Sequence, residues 1–218
     1  MLSQSATMRR QLIWSGLDAW RAEAVTVELE SDSLQATGTQ IGVEPLPYRL
    51  DYELRVDSKW VTRRLRVSAA GAGWARELDL RHDGGGAWTA EAAEEGAVRL
   101  PPPGGEVATV KGALDCDLGC CPLTNVMPVR RHELHLRSGE MDFLMAWVSV
   151  PDLGLHPSRQ RYEHVGRRGD RFVVRYVGEH RSFVRELELD EDGFVVLYPE
   201  LARRLFLTSS RPSRPQPP

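Results

Sequence analysis

Apolar and polar residues alternate along most of the chain. Between 48 and 57 the alternation is unbroken, with Tyr48, Leu50, Tyr52, Leu54 and Val56 on one side and Arg49, Asp51, Glu53, Arg55 and Asp57 on the other. That period of two predicts a strand with one buried and one wet face. Shorter runs of the same kind lie at 23–29, 60–67, 77–80, 172–177, 182–189 and 194–198. Glycine-rich stretches at 69–73, 83–86 and 166–170 supply the turns of antiparallel neighbours. Residues 38–42 break and restart extended structure, and Pro45 and Pro47 keep the next stretch out of helix. The segment 141–150 lacks alternation and predicts a core strand covered on both faces. Helix is expected only in pieces: a turn or short helical piece at 14–20, one turn within 90–97, and a short helix over 199–207 carrying Leu201, Leu205 and Phe206 at helical spacing.

Two meanders of one-sided strands must bury their apolar faces, as a sandwich, a closed barrel or a strongly curled open sheet. The expectation is an all-β, mainly antiparallel protein with a few short helices, built as a single β domain over 9–207. Residues 1–8 are expected as a disordered leader and 208–218 as a disordered Pro/Arg/Ser tail. One echo stands out. Arg76 to Leu80 with Asp83-Gly84 is matched by Arg185 to Leu189 with Asp192-Gly193, which suggests a repeated strand and turn.

Composition narrows the function classes. A net charge of −3 and a pI near 6.1 give no broad positive field, so nucleic acid is not an expected partner. No stretch is apolar for the length of a membrane span and the start carries no secretory core, so a cytoplasmic protein without an integral membrane segment is expected. The odd number of cysteines, Cys116, Cys120 and Cys121, points to thiols rather than a disulfide framework. His132 and His135 follow closely, but the set lacks the spacing of a closed tetrahedral site, so no metal is expected. The glycines match no phosphate loop.

The densest chemistry lies at 115–131, DCDLGCCPLTNVMPVRR. Asp115 and Asp117 are two apart, so on an extended segment both carboxylates share a face, and Arg130 and Arg131 follow after a turn-rich link. Such a cluster serves either as a structural tie between loop and sheet or as the polar floor of a ligand cavity, with Thr124 and Asn125 offering donors and acceptors.

The order Asp-x-Asp-Leu, then Pro-x-Thr-Asn-x-x-Pro-x-Arg-Arg, resembles the signature of a bacterial family called "putative glycolipid-binding" proteins, formerly a domain of unknown function. The resemblance extends to Trp14-x-Gly16, the stretch from Tyr48 through Trp60 to Arg63, Gln160-Arg161-Tyr162 and Tyr198-Pro199. Cys120-Cys121 departs from it, since small or hydroxyl residues are expected there. The resemblance implies the half-open β-barrel of bacterial lipoprotein carriers, whose interior takes acyl chains. It also implies an amphiphile ligand, with an apolar cavity for chains and a polar cluster for the head. The candidate ligand-binding residues are Asp115, Asp117, Thr124, Asn125, Arg130, Arg131, Trp14, Trp60, Arg63 and Tyr162, with no cofactor and no catalytic residue. Two other classes stay open: a glycoside hydrolase using Asp115 and Asp117 as acid and base, and an interaction module whose sheet edges pair with another protein.

Overall fold

A computed structural model describes residues 7–178 and 183–206. The first seven strands are β1 (Met8–Gly16), β2 (Arg21–Leu29), β3 (Leu34–Gly42), β4 (Tyr48–Val56), β5 (Thr62–Gly71), β6 (Trp74–His82) and β7 (Trp88–Gly96). A 3-10 turn (Val107–Val110) precedes β8 (Asp115–Leu118), and a second (Pro122–Asn125) runs into the short helix α1 (Val126–Arg131). The remainder is β9 (Glu140–Val148), β10 (Leu155–Arg168), β11 (Arg171–Gly178), β12 (Phe183–Leu189), β13 (Val195–Tyr198) and β14 (Ala202–Arg204). All fourteen strands form one sheet in the order β7-β6-β5-β4-β3-β2-β1-β14-β13-β12-β11-β10-β9-β8. The fold is therefore two seven-stranded meanders, each in chain order, joined where β1 pairs with β14. Among the described strands only β8 and β9 run parallel, and the sheet does not close into a barrel. Strand accounts for 59% of the described residues and helix for 7%, as the alternating pattern predicts.

Alternation fixes which side is inner. In β4 Tyr48, Leu50, Tyr52, Leu54 and Val56 are all buried. Glycines of β3 make room for the two tyrosines: a Cβ on Gly38 would lie 2.4 Å from Tyr52 Cζ, and one on Gly42 2.6 Å from Tyr48 Cε1. The rings thus lie across the neighbouring strand, where Tyr52 Oη donates to the buried Glu23 at 2.6 Å and Tyr48 Oη to Gln40 at 2.8 Å.

The inner face of the first meander is covered by the stretch that follows it. Leu114 O accepts from Thr62 N at 3.1 Å, Cys116 N donates to Thr62 Oγ1 at 3.1 Å, and Gln40 Nε2 donates to Cys120 O at 3.1 Å. Leu118, Leu123, Val126 and Met127 share one buried cluster with Leu50, Leu65, Val67 and Leu78. A smaller cluster of Val129, Leu134, Tyr162, Val174, Leu187 and Val195 lies under the second meander. Side chains of the connecting segment thus cover much of the inner face. At the open edge, β7 carries the exposed Glu91, Glu94 and Glu95, charges that oppose addition of a further strand.

Several local expectations are corrected. Residues 90–97 are mostly strand, because β7 pairs with β6 along nine positions, and that pairing overrides the helical preference of Ala and Glu. Residues 14–16 end β1 and 17–20 form a turn, so of the turn or short helical piece expected at 14–20 only the turn is present, and 34–42 is one unbroken strand. The expected helix at 199–207 is replaced by a turn and β14, leaving Leu205 and Phe206 about half exposed. In β9 only the later part is covered, since Met141 is exposed while Met145, Ala146 and Val148 are buried. Of the expected leader, Met8 opens β1, and residues 1–6 lie outside the described residues, as does the tail from 207. The echoed segments are β6 and β12, each leading into a turn that an aspartate caps: Asp83 Oδ1 accepts from Gly85 and Ala87, and Asp190 Oδ1 from Asp192 and Phe194.

The strand registers also sort the turns. Turns 17–20, 43–47 and 199–201 fall at one end of the sheet, here the upper end, together with the last residues of β8 and β9 and the start of β12.

Candidate functional site

Between β8 and the inner face of the second meander, toward the upper end, lies a partly open cleft of about 250 Å3. Its polar wall begins with β10, where Ser158 and Gln160 line it and Arg159 and Arg161 point outward. Asp117 of β8 accepts from Gln160 Nε2 at 2.7 Å on Oδ2 and from Thr124 Oγ1 at 2.9 Å on Oδ1. Behind it, Tyr162 Oη lies 2.9 Å from Asn125 Oδ1 and 3.2 Å from Gln160 Oε1, and Asn125 Nδ2 donates to Pro122 O at 3.2 Å. Side chains from β8, the 3-10 turn and β10 therefore hold one another in place.

The facing wall is aromatic. Tyr176, Phe183 and Tyr198 contact one another with ring centroids 5.8–6.2 Å apart, and Tyr176 meets Tyr162 edge-on at 5.3 Å. Trp147 and His156 pair at 5.5 Å on the remaining side. Beyond the cleft, the Arg185 guanidinium covers the Phe183 ring at 4.0 Å and pairs with Glu200. Among the described residues that line the cleft there is no Arg or Lys.

Electrostatics follow from this enclosure. Burial pushes the Asp117 carboxyl above the ordinary aspartate value, and the hydrogen bonds from Gln160 and Thr124 offset part of the push. The residue is nevertheless only half-buried, because the cleft lets solvent reach it. Burial also raises Tyr162 and Tyr198, so both are neutral donors.

Of the ten candidates, Asp117 and Asn125 line the cleft, and Thr124 and Tyr162 stand directly behind that wall. The others lie elsewhere. Asp115 is gripped by both terminal nitrogens of Arg131, at 2.7 Å for Nη1 to Oδ1, and Arg131 also donates to Trp60 O at 2.9 Å. Burial pushes Asp115 up, partly countered by that guanidinium. Arg130 stacks 4.8 Å over the Trp60 ring and donates to Ser31 O at 3.2 Å. Trp14 is core, its Nε1 donating to Val195 O, and Arg63 is exposed near Asp57. Ser158, Gln160, His156, Tyr176, Phe183 and Tyr198 were not among the candidates. The legible signal was polar Ser158, Gln160 and Tyr162 at alternating positions, the face that a strand would otherwise keep apolar.

The cysteines form no disulfide, and among the described residues no group of three or more His, Cys, Asp or Glu is arranged to hold a metal. Nor, among them, is any helix long and apolar enough to cross a membrane.

The family model described as "Putative glycolipid-binding" matches residues 11–204. The chain belongs to that family. Its fold is similar to the crystal structure of a DUF1089 family protein from Pseudomonas aeruginosa, at a TM-score of 0.63 and 29% identity over 84% of this chain and 92% of that one. No curated protein matches. The family match spans both meanders and the segment between them, and the residues lining the cleft fall within it.

Proposed function

We propose that the cleft binds the uncharged, hydroxyl-rich head of an amphiphile, a sugar head group in keeping with the family's description. The observation that carries this reading is the pairing of an aromatic wall, Tyr176, Phe183 and Tyr198, with a row of fixed hydrogen-bonding groups, Asp117, Gln160, Asn125 and Ser158. Sugars present apolar C–H faces to rings and hydroxyls to amides and carboxylates, and both surfaces are offered here at once. A phosphate or sulfate head would call for Arg or Lys, and neither lines the cleft among the described residues.

The cleft suits a head better than chains. At about 250 Å3 it is smaller than the ~300–1,000 Å3 of pockets that enclose drug-sized ligands, and the remaining apolar interior is occupied by core side chains. A carboxylate pair for glycoside hydrolysis is not favoured, because Asp117 faces the cleft while Asp115 is held by Arg131.

Native mass spectrometry of freshly purified protein should find a sugar-bearing amphiphile. Titration should show an alkyl glycoside binding more tightly than a phosphocholine of the same chain length. Tyr176→Ala should weaken the glycoside about tenfold, or ~1.4 kcal/mol. Equal affinity for the two head groups would sink the reading.

A further inference from the structure

Two turns at the upper end leave large apolar side chains in solvent. Leu17 and Trp20 are 46% and 62% exposed on the β1–β2 turn, and Val43 is 42% exposed on the β3–β4 turn with Ile41 at 39% beside it. The turns are neighbours, because Arg21 pairs with Gly42 and Ala22 with Ile41. They also reach the cleft. Leu17 N donates to Leu201 O at 3.0 Å, Arg21 Nη2 donates to the same oxygen at 2.9 Å, and Leu201 lines the cleft.

We infer that this upper rim is a docking surface for a lipid bilayer, so that the head group enters the cleft while its chains stay in the membrane. The inference rests on the proposed head-group site and says how its ligand is presented. Three observations favour a bilayer over another occupant. The apolar tips are continuous with the cleft through Leu17 and Leu201. The cleft has room for a head but not for long chains, so the chains of a bound amphiphile must lie outside it. The most exposed tip is a tryptophan, the side chain that settles best at the boundary between head groups and hydrocarbon.

Charge bears on the kind of contact. At the same end Asp18 is paired with Arg21, Glu200 with Arg185 and Asp51 with the exposed Arg49, while Glu44 and Arg203 are both exposed. Among the described residues this end has no excess of basic side chains, so contact comes from apolar insertion and not from attraction to anionic lipid.

The test uses the full chain and vesicles of phosphatidylcholine alone. Wild type should float with these vesicles, bind them no more weakly as salt is raised, and bind no more tightly to vesicles containing phosphatidylserine. Trp20 should be quenched by brominated acyl chains, and Trp20→Ser should lose that part of the signal; Trp14, Trp60, Trp74 and Trp88 are each no more than 6% exposed, and the partly buried Trp147 in the cleft wall is unchanged in that variant. Leu17→Asp and Val43→Asp, at exposed sites, should each cut vesicle binding by about tenfold while leaving alkyl glycoside affinity within about twofold. Failure of wild type to float, flotation only with anionic lipid, or shielding of Trp20 by self-association without lipid would each overturn the inference. Glycoside binding without flotation would refute docking and leave the head-group site standing, whereas loss of glycoside binding in wild type would refute that site itself.

Discussion

Replacing Arg131 by Ala separates a structural tie from a surface charge, because its neighbour Arg130 is the natural control. The Arg131 side chain is 13% exposed and its partner Asp115 only 1%, with both carboxylate oxygens engaged. Deleting the guanidinium leaves a carboxyl in the interior, and breaking such a pair costs roughly 3–5 kcal/mol. For a chain of this length each kcal/mol lowers Tm by about 2–4 °C, so a drop of roughly 10 °C is expected by calorimetry. Arg130 loses only a ring contact and one backbone carbonyl, so Arg130→Ala should cost about 1 kcal/mol or less. The pH dependence carries a sign as well. Without Arg131 the Asp115 carboxyl rises further, so the folded state keeps a proton that the unfolded chain has already released. Stability of the variant then falls as pH rises above the ordinary aspartate range, and acid should narrow its gap to wild type. Adding Asp115→Asn to Arg131→Ala should recover part of the loss. Equal melting temperatures for the two arginine variants would refute the assignment of Arg131 to a buried pair.

Glu23 should give a similar pH signature in the wild-type fold. Its carboxyl is raised by burial, against the hydrogen bonds from Tyr52 and Cys121, so its contribution to stability is present at acid pH and is lost as pH rises from the unfolded value toward the folded one. Glu23→Gln should flatten the decline of the urea midpoint with pH, and an unchanged slope would contradict it. Gly38→Ala should cost roughly 1–3 kcal/mol, since the new methyl would displace the Tyr52 ring. The loss should shrink in a Tyr52→Ala background, and additive effects in thermal melts would count against the contact.

The first meander was largely legible because one face of each strand is buried, which imposes the period of two; β4 is the clearest case. What was missed followed from pairing rather than from local pattern. The run of Ala and Glu in β7 has no strand preference of its own and is extended because β6 holds it there. Residues 115–131 announced themselves through their chemistry, and an arginine does meet an aspartate there. Their division between a structural tie at Asp115 and a cleft wall at Asp117 depends on which strand each carboxylate meets, and no spacing encodes that. The aromatic wall was harder still. Tyr176, Phe183 and Tyr198 come from three strands, and only the registers of β11, β12 and β13 gather them.

The order in which the chain fills its own curl bears on its synthesis. Residues 8–96 contain a complete seven-stranded meander, yet the segment that covers its inner face comes from 113–127, and the strand that pairs with the free edge of β1 begins only at 202. A nascent chain emerging in sequence therefore carries an apolar surface until the filling segment is out, and an unpaired β1 edge until β14 has been made. Translation stalled between these points would leave a species with its sheet formed and its interior open, the form on which a holding chaperone would act.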